Sequence, residues 1–402
     1  MSDKNNKTLK PGWRRVKFGD VVRLSKARSQ DPLADGIERF VGLEHLEPGD
    51  LSIRSWGSVA DGVTFTSVFQ PGQVLFGKRR AYQRKVAVAD FSGVCSGDIY
   101  VLETMDAKVL LPELLPFICQ TDAFFNHAIG TSAGSLSPRT NWTSLADFEF
   151  ALPTIEEQIE LTNRLSLIQA AIEKQQKLIF STSQASLSTQ LRLFNDLWKS
   201  VEGGKTRFDR LKNLLREPLS NGIFRRREEF GSGTRLLNVT DIYGAFRVDH
   251  EGLERVEASE KEINKFSALP GDVIFNRSSI VLDGIGKSIL VATGDEPLIF
   301  ECHLMRARVR SPEITPEYLC RYSLSPHGRR YFLSRAQTTT MTTINQGDLE
   351  SLPIPLPTVD YQILVSERLD DFDNAIATAK KRMEETKSLM KFNIERGLGY
   401  VQ

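Results

Sequence analysis

Cysteine is scarce in this chain: four residues among 402 (Cys95, Cys119, Cys302, Cys320), far apart and with no Cys-x-x-Cys spacing. That excludes a disulfide framework and a thiolate zinc cluster, and the four read as reduced, mostly buried thiols. Histidine is nearly as rare. His45, His127, His250, His303 and His327 show no His-x-x-x-His or mixed Cys/His spacing, so no metal site is expected. Net charge is almost absent, because 52 Lys and Arg oppose 51 Asp and Glu. No global field therefore draws the chain to nucleic acid, and any basic surface must be local. No apolar run reaches the ~20 residues of a membrane helix. The polar opening Met1-Ser2-Asp3-Lys4-Asn5-Asn6-Lys7 has no apolar core of a secretory signal. The expectation is a cytoplasmic protein without membrane contact.

Catalytic motifs are equally thin. Gly130-Thr131-Ser132-Ala133-Gly134 fits the Gly-x-Ser-x-Gly nucleophile pattern. That motif needs a strand before it and a helix after it. Here a helical segment precedes and Ser135-Leu136-Ser137-Pro138 follows. Gly284-Ile285-Gly286-Lys287-Ser288 resembles the tail of a phosphate loop, but Val281 stands where the first glycine belongs and a strand follows. There is no Asn-Pro-Pro-Tyr-like tetrapeptide of amino-methyltransferases and no acidic cluster of a metal-dependent nuclease. Glu385-Thr386-Lys387 lies on a helix and reads as a solvated face. A chain without catalysis of its own is expected.

What is present is repetition. Leu152-Pro153-Thr154-Ile155-Glu156-Glu157-Gln158-Ile159 returns 204 positions later as Leu356-Pro357-Thr358-Val359-Asp360-Tyr361-Gln362-Ile363. The offset holds without a gap from Asn141/Asn345 to Lys177/Lys381. Further back, Pro71-Gly72-Gln73-Val74-Leu75-Phe76 matches Pro270-Gly271-Asp272-Val273-Ile274-Phe275. A period of this length exceeds solenoid repeats, which run to roughly 50 residues. It is a duplicated domain plus a duplicated helix. Between the landmarks the copies share little, so the frame is kept while the filling differs.

Alternating segments such as Val74-Leu75-Phe76 and Ile99-Tyr100-Val101-Leu102 predict strands, and 112–129 predicts a helix pair. The second block repeats this with Asp272–Phe275 and a helical stretch from Pro316 to Arg335. After each block comes a long helix, with proline just ahead and carboxylates in the first turn. Leu161, Leu165, Ile168, Ile172, Gln175, Ile179 and Thr182 follow a 4-3 spacing. Val365, Leu369, Phe372, Ile376, Ala379, Met383 and Thr386 follow the same one. Such a seam predicts a coiled coil. Two helices of about 40 residues would be ~60 Å long each, a rigid spacer if paired antiparallel. Two unrelated amphipathic helices, each on its own domain, are the plain alternative. The fold class expected is mixed α/β (α+β): two domains with curled sheets, 1–152 and 204–356, separated by spacer helices 153–203 and 357–402, with an internal pseudo-two-fold repeat.

Local basic segments stand out against the neutral whole. Lys78-Arg79-Arg80-Ala81-Tyr82-Gln83-Arg84-Lys85 carries five cations and no acid, directly after a strand. At the same place in the second copy stand Asn276, Arg277, Ser278 and Ser279, and Arg225, Arg226 and Arg227 form another cluster. The polar loops Ser135–Asn141, with Arg139, and Thr338–Asn345, with Thr340, occupy matched positions. Arg and Lys grip phosphates, and Arg and Asn reach base edges in the major groove. A solvated surface loop is the plain alternative for each run taken singly.

Together these residues resemble the specificity subunits of type I restriction-modification enzymes. The resemblance covers nearly the whole chain. It is carried by Val41-Gly42-Leu43-Glu44-His45-Leu46 with the following Glu47-Pro48-Gly49-Asp50, the Pro-Gly-x-Val-x-Phe strands, Leu152–Gln158, and Pro353-Ile354-Pro355-Leu356-Pro357. It implies two target recognition domains, each reading one half of a bipartite, asymmetric sequence in double-stranded DNA. It implies paired helices that set the unspecified gap and dock two methyltransferase subunits, with two motor-nuclease subunits joining in the restriction complex. S-adenosylmethionine, ATP and Mg²⁺ would then belong to those partners, with no cofactor in this chain. Asp360-Tyr361-Gln362 in place of Glu156-Glu157-Gln158 departs from identical docking at the two ends. The competing readings are a single-chain nuclease or methyltransferase, for which a catalytic motif is missing, a duplicated protein-binding scaffold, and a stand-alone DNA-binding protein.

Overall fold

The computed structural model describes residues 9–400 except 245, 295, 311, 339 and 340. Thr340 therefore lies outside the described residues. The chain divides into two compact units, Met1–Gln176 with Lys380–Gln402, and Lys177–Ala379. Helix and strand are mixed in both, and the sheets stay open.

In the first unit, Arg14–Lys17 pairs antiparallel with Glu149–Leu152 and so brings the two ends of the globular block together. A four-stranded antiparallel sheet runs in the order Val22–Leu24, Ile99–Thr104, Val74–Gly77, Val86–Val88. A second sheet runs Gly57–Ser58, Arg39–Val41, Gly93–Cys95, Ser67–Phe69. Successive strand side chains point to opposite faces, and both faces of Val74–Gly77 are covered. Val74 and Phe76 join a core with Phe124, Phe125 and the long-helix residues Leu161, Leu165 and Ile172. Leu75 faces the other way, with Phe69, Ala87 and Val101. This explains why the strand is continuously apolar rather than alternating.

The second unit repeats that plan. Arg207–Arg210 pairs with Pro353–Leu356. A four-stranded antiparallel sheet runs Ser220–Asn221, Leu304–Arg308, Asp272–Asn276, Ser288–Leu290, the same order as in the first unit. Glu254–Val256, Phe230–Leu237 and Leu298–Phe300 form a second sheet. Val273 and Phe275 pack with Met305, Tyr318, Tyr322 and Phe332, while Ile274 faces Ile289 and Phe300. The expected helix pairs are Leu115–Cys119 with Asp122–Gly130, and Pro316–Leu324 with Pro326–Arg335.

The glutamine repeated at each long-helix start has a structural cause. Gln158 is buried, and its amide donates to the carbonyls of Val109 (3.0 Å) and Pro153 (3.1 Å) while accepting from the Leu111 N–H (3.0 Å). Gln362 does the same with Glu313 (3.0 Å), Pro357 (3.1 Å) and Thr315 (2.9 Å). Three backbone groups that no strand or helix satisfies are paired by one side chain, which a buried chain requires.

The first long helix is uninterrupted from Ile155 to Glu202, 48 residues, or ~72 Å at 1.5 Å per residue. The second is Val359–Gly397, 39 residues. Leu161, Leu165, Ile172, Val365 and Leu369 are buried, while Ile168, Ile179, Phe372, Ile376 and Met383 are half-buried. In the first unit, Gln175 donates to the Thr386 hydroxyl (3.3 Å). Residues beyond the predicted seam are buried too: Met390, Ile394 and Leu398 in the first unit, and Phe194 and Leu197 in the second. Past Thr386 the spacing changes from 4-3 to 4-4, and a residue every fourth position turns 40° further around the helix each time. The stripe thereby joins the globular core, with Met390, Ile394 and Leu398 beside Phe124 and Leu165, which a fixed 4-3 template misses. Among the described residues no helix is long and apolar enough to cross a membrane.

Candidate nucleic-acid interface

In each unit the loop that leaves the central strand is bridged to the loop that precedes a short, asparagine-capped helix. In the first unit, Arg79 pairs with Arg139, and Ala133 with Arg139, through isolated antiparallel bridges. In the second, Ser278 pairs with Thr343, and Gln337 with Thr343. Asn141 caps Trp142–Ala146 by accepting from the Ser144 N–H (2.8 Å). Asn345 caps Gln346–Glu350 by accepting from the Asp348 N–H (3.0 Å). The repeated asparagine is thus a cap, the residue type that pairs an orphan helix donor, and both caps are exposed. The two loops predicted separately from sequence are neighbours in both units.

The first-unit site is a cationic rim on a half-buried acid. Arg79 (3.2 Å) and Arg139 (2.8 Å) both contact the Asp98 carboxylate. Burial pushes that carboxyl up, but the hydrogen bonds and charges of Arg139 and Arg79 outweigh it and hold it below the ordinary value. Arg79 and Arg80 also donate to the Ser137 hydroxyl (2.9 and 3.3 Å). Burial lowers the Lys78 ammonium, which lies 4.6 Å over the Tyr100 ring. Arg80 and Arg84 both adopt left-handed backbone (φ 54° and 55°) around the turn Ala81–Gln83. Non-glycine residues do so at a cost of order 1 kcal/mol or more, which persists only where the surroundings over-determine it. Tyr82 is exposed between them, and Leu136 stands at the tip of the bridged loop, 89% exposed.

The same run also carries structural duties. Arg84 pairs with Asp122 (2.5 Å) and lies over Phe125, and Asp122 also pairs with Lys391 (2.6 Å). Lys85 donates to the Leu43 carbonyl (2.7 Å). These two cations brace the loop and its helix.

In the second unit, Asn276 is fully buried. Its amide donates to Tyr243 (3.1 Å) and the Gly284 carbonyl (3.0 Å) and accepts from the Ser278 N–H (3.1 Å). It shapes the loop from below. Ser278 is buried beside it and Arg277 is half-buried. Arg225, Arg226 and Arg227 lie elsewhere, beside the Phe230–Leu237 and Glu254–Val256 strands. Arg225 pairs with Glu262 (2.8 Å) and Arg227 with Glu254 (2.9 Å), and Arg226 is exposed. Sequence reading missed Asp98, whose only signal is its place in the Ser96-Gly97-Asp98 turn. It also missed Ile280-Val281-Leu282, three contiguous exposed aliphatic residues.

Glu301, Cys302 and His303 place one potential donor atom each within 4.8 Å. Burial raises the Glu301 carboxyl and the Cys302 thiol above their ordinary values.

Residues 251–388 match the family model "Type I restriction modification DNA specificity domain". The chain is 24% identical over 293 residues to the type I restriction enzyme EcoKI specificity subunit of Escherichia coli K12, across 68% of this chain and 62% of that protein. This chain thus spans about three fifths of that relative and 45% of the putative MjaX specificity subunit of Methanocaldococcus jannaschii, at 28% identity across 47% of this chain. The type I S subunit structure from M. genitalium superposes with a TM-score of 0.58 at 13% identity, covering 99% of this chain and 98% of that one, which supports the fold. Residues 251–388 thus match a model of type I restriction-modification DNA specificity domains, and the chain is similar to the specificity subunits of type I restriction enzymes.

Proposed function

We propose that the chain is the non-catalytic DNA-specificity subunit of a type I restriction-modification system, reading a bipartite, asymmetric target in double-stranded DNA. The observation that carries this reading is the paired-loop frame. Each unit offers one frame, and the side chains mounted on it differ: Arg79, Arg80 and Arg139 on one, Arg277, Ile280 and Thr343 on the other. A constant frame with variable contacts is what two readers of different half-sites need, because backbone contacts position and side chains at base edges specify. Residues 1–152 and 204–356 are the two recognition domains. Segments 153–203 and 357–402 are an antiparallel helical spacer, and the whole follows a pseudo-two-fold repeat. The shared seam spacing and the matched glutamine clamps support this. Two methyltransferase subunits dock on this chain, and two restriction subunits complete the complex. S-adenosylmethionine, ATP and Mg²⁺ serve chemistry in those partners.

The test is a genome-wide map of N6-methyladenine in the native host with and without this gene. A split motif with a fixed unspecified gap should lose methylation on deletion. An unchanged methylome, together with failure to retrieve a methyltransferase by pull-down, would sink the reading in favour of a protein scaffold.

A further inference from the structure

Ile280, Val281 and Leu282 are 87%, 61% and 52% exposed. They are contiguous in a loop of the second unit. Isolated surface aliphatics are ordinary, but a contiguous exposed group marks a contact surface. The loop is also held rigidly. Asn276 grips its base, the Val281 N–H donates to the Ser279 hydroxyl (3.2 Å), and Gly284 N–H donates to the Val281 carbonyl (3.0 Å). The Arg329 guanidinium donates to the carbonyls of Asp283 (2.6 Å) and Ile285. A Cβ at Gly284 would stand 2.1 Å from the Ser279 hydroxyl, so the turn is packed to its backbone. Nothing in this arrangement lets the three side chains fold inward.

The surroundings indicate what they meet. Asp283, the acid at the tip, is matched by Lys287 (3.2 Å) and Arg329 (3.5 Å), so no uncompensated negative charge faces outward there. Below the tip, the buried Ser278 and Ser279 pair through their backbone with Thr343 and Thr342, which anchors the loop. The tip occupies the place that Lys78–Lys85 takes in the first unit, directly after the central strand and bridged to the loop before the capping asparagine. An apolar tip whose one acid is matched by cations suits the major groove, where the thymine C5-methyl is the apolar feature among hydrogen-bonding edges.

We propose that Ile280–Leu282 is an apolar finger that reads thymine methyl groups in one half of the target, whereas the other half is read by cations and hydrogen bonds. The proposal rests on the specificity-subunit reading. Its test uses the full chain and a duplex carrying the mapped methylation motif, with deoxyuridine replacing thymine in one half at a time. Uridine should weaken binding in one half only, about fourfold per contacted methyl at roughly 0.8 kcal/mol each. Ile280→Ser should weaken the thymine duplex similarly and become indifferent to uridine, with an unchanged salt slope. Because Ile280 is solvent-exposed, its melting temperature should match wild type, and this is checked. Sequence-specific binding that ignores uridine in both halves, or full uridine discrimination by Ile280→Ser, would overturn the finger. A 2-aminopurine signal of unstacking that Ile280→Ser abolishes would overturn it in favour of insertion between bases. Failure of the wild type to prefer the motif duplex at all would instead sink the underlying reading.

Discussion

Single side chains carry the clearest physical consequences. Arg321, only 5% exposed at its side chain, pairs with both Asp370 and Asp373 and lies over Phe246, while Arg247 forks onto Asp370 (2.6 Å). Burial pushes the Asp370 carboxyl up, but the hydrogen bonds of Arg247 and Arg321 and the Arg charges outweigh it and hold it below 3.8. A depressed carboxylate stabilises the fold above its unfolded value of about 3.9, and that contribution disappears as pH falls through the folded value. Asp370→Asn should therefore cost about 2 kcal/mol at neutral pH, a cost that shrinks as pH falls below the unfolded value. Urea unfolding across that range checks it, and a pH-independent loss would point to packing instead. Arg80 is expected to touch phosphate, so Arg80→Ala should make the salt dependence of DNA binding shallower by about 0.9 in log–log slope. Titration of affinity against salt reads this directly.

Among the elements, the start of each long helix depends on one glutamine. Replacing Gln158 or Gln362 by Leu leaves a buried backbone N–H without a partner, at a cost of about 2 kcal/mol. Calorimetry should show Gln158→Leu lowering the transition of the first unit, and Gln362→Leu that of the second, by about 4–8 °C. Both substitutions lowering both transitions equally would mean that the units do not unfold separately. These glutamines were legible in the sequence as a repeat but not as a clamp, because their partners, Val109 and Leu111 or Glu313 and Thr315, lie 47 to 49 residues away. The long helices were legible in their 4-3 spacing, but the residues past Thr386, which recur every fourth position and pack on the globular core, were not. The basic run was legible as charge. Its division into rim residues such as Arg80 and braces such as Arg84 was not, since that depends on where Asp98, Ser137 and Asp122 fall in space.

For the whole molecule, duplication supplies two frames and divergence supplies two chemistries. If each frame reads one half-site, exchanging residues 204–356 for the corresponding segment of a relative should change one half of the methylated motif and leave the other half and the gap intact. Methylome sequencing of the chimera decides this. A motif altered in both halves would show that the two readers are not independent.

The first unit is discontinuous: Lys380–Gln402 packs Met390, Ile394 and Leu398 into the core formed by Leu161, Leu165 and Phe124. On a ribosome this imposes an order. Residues 177–379 form a contiguous unit, whereas the one begun first must wait for the segment from Lys380 onward. At roughly 5–20 residues per second the wait is roughly 10–40 s, during which Leu161 and Leu165 lack the share of their cover that Met390, Ile394 and Leu398 supply. The nascent N-terminal block is therefore a natural client for a chaperone, and the earlier-synthesised half of the protein is the later one to mature.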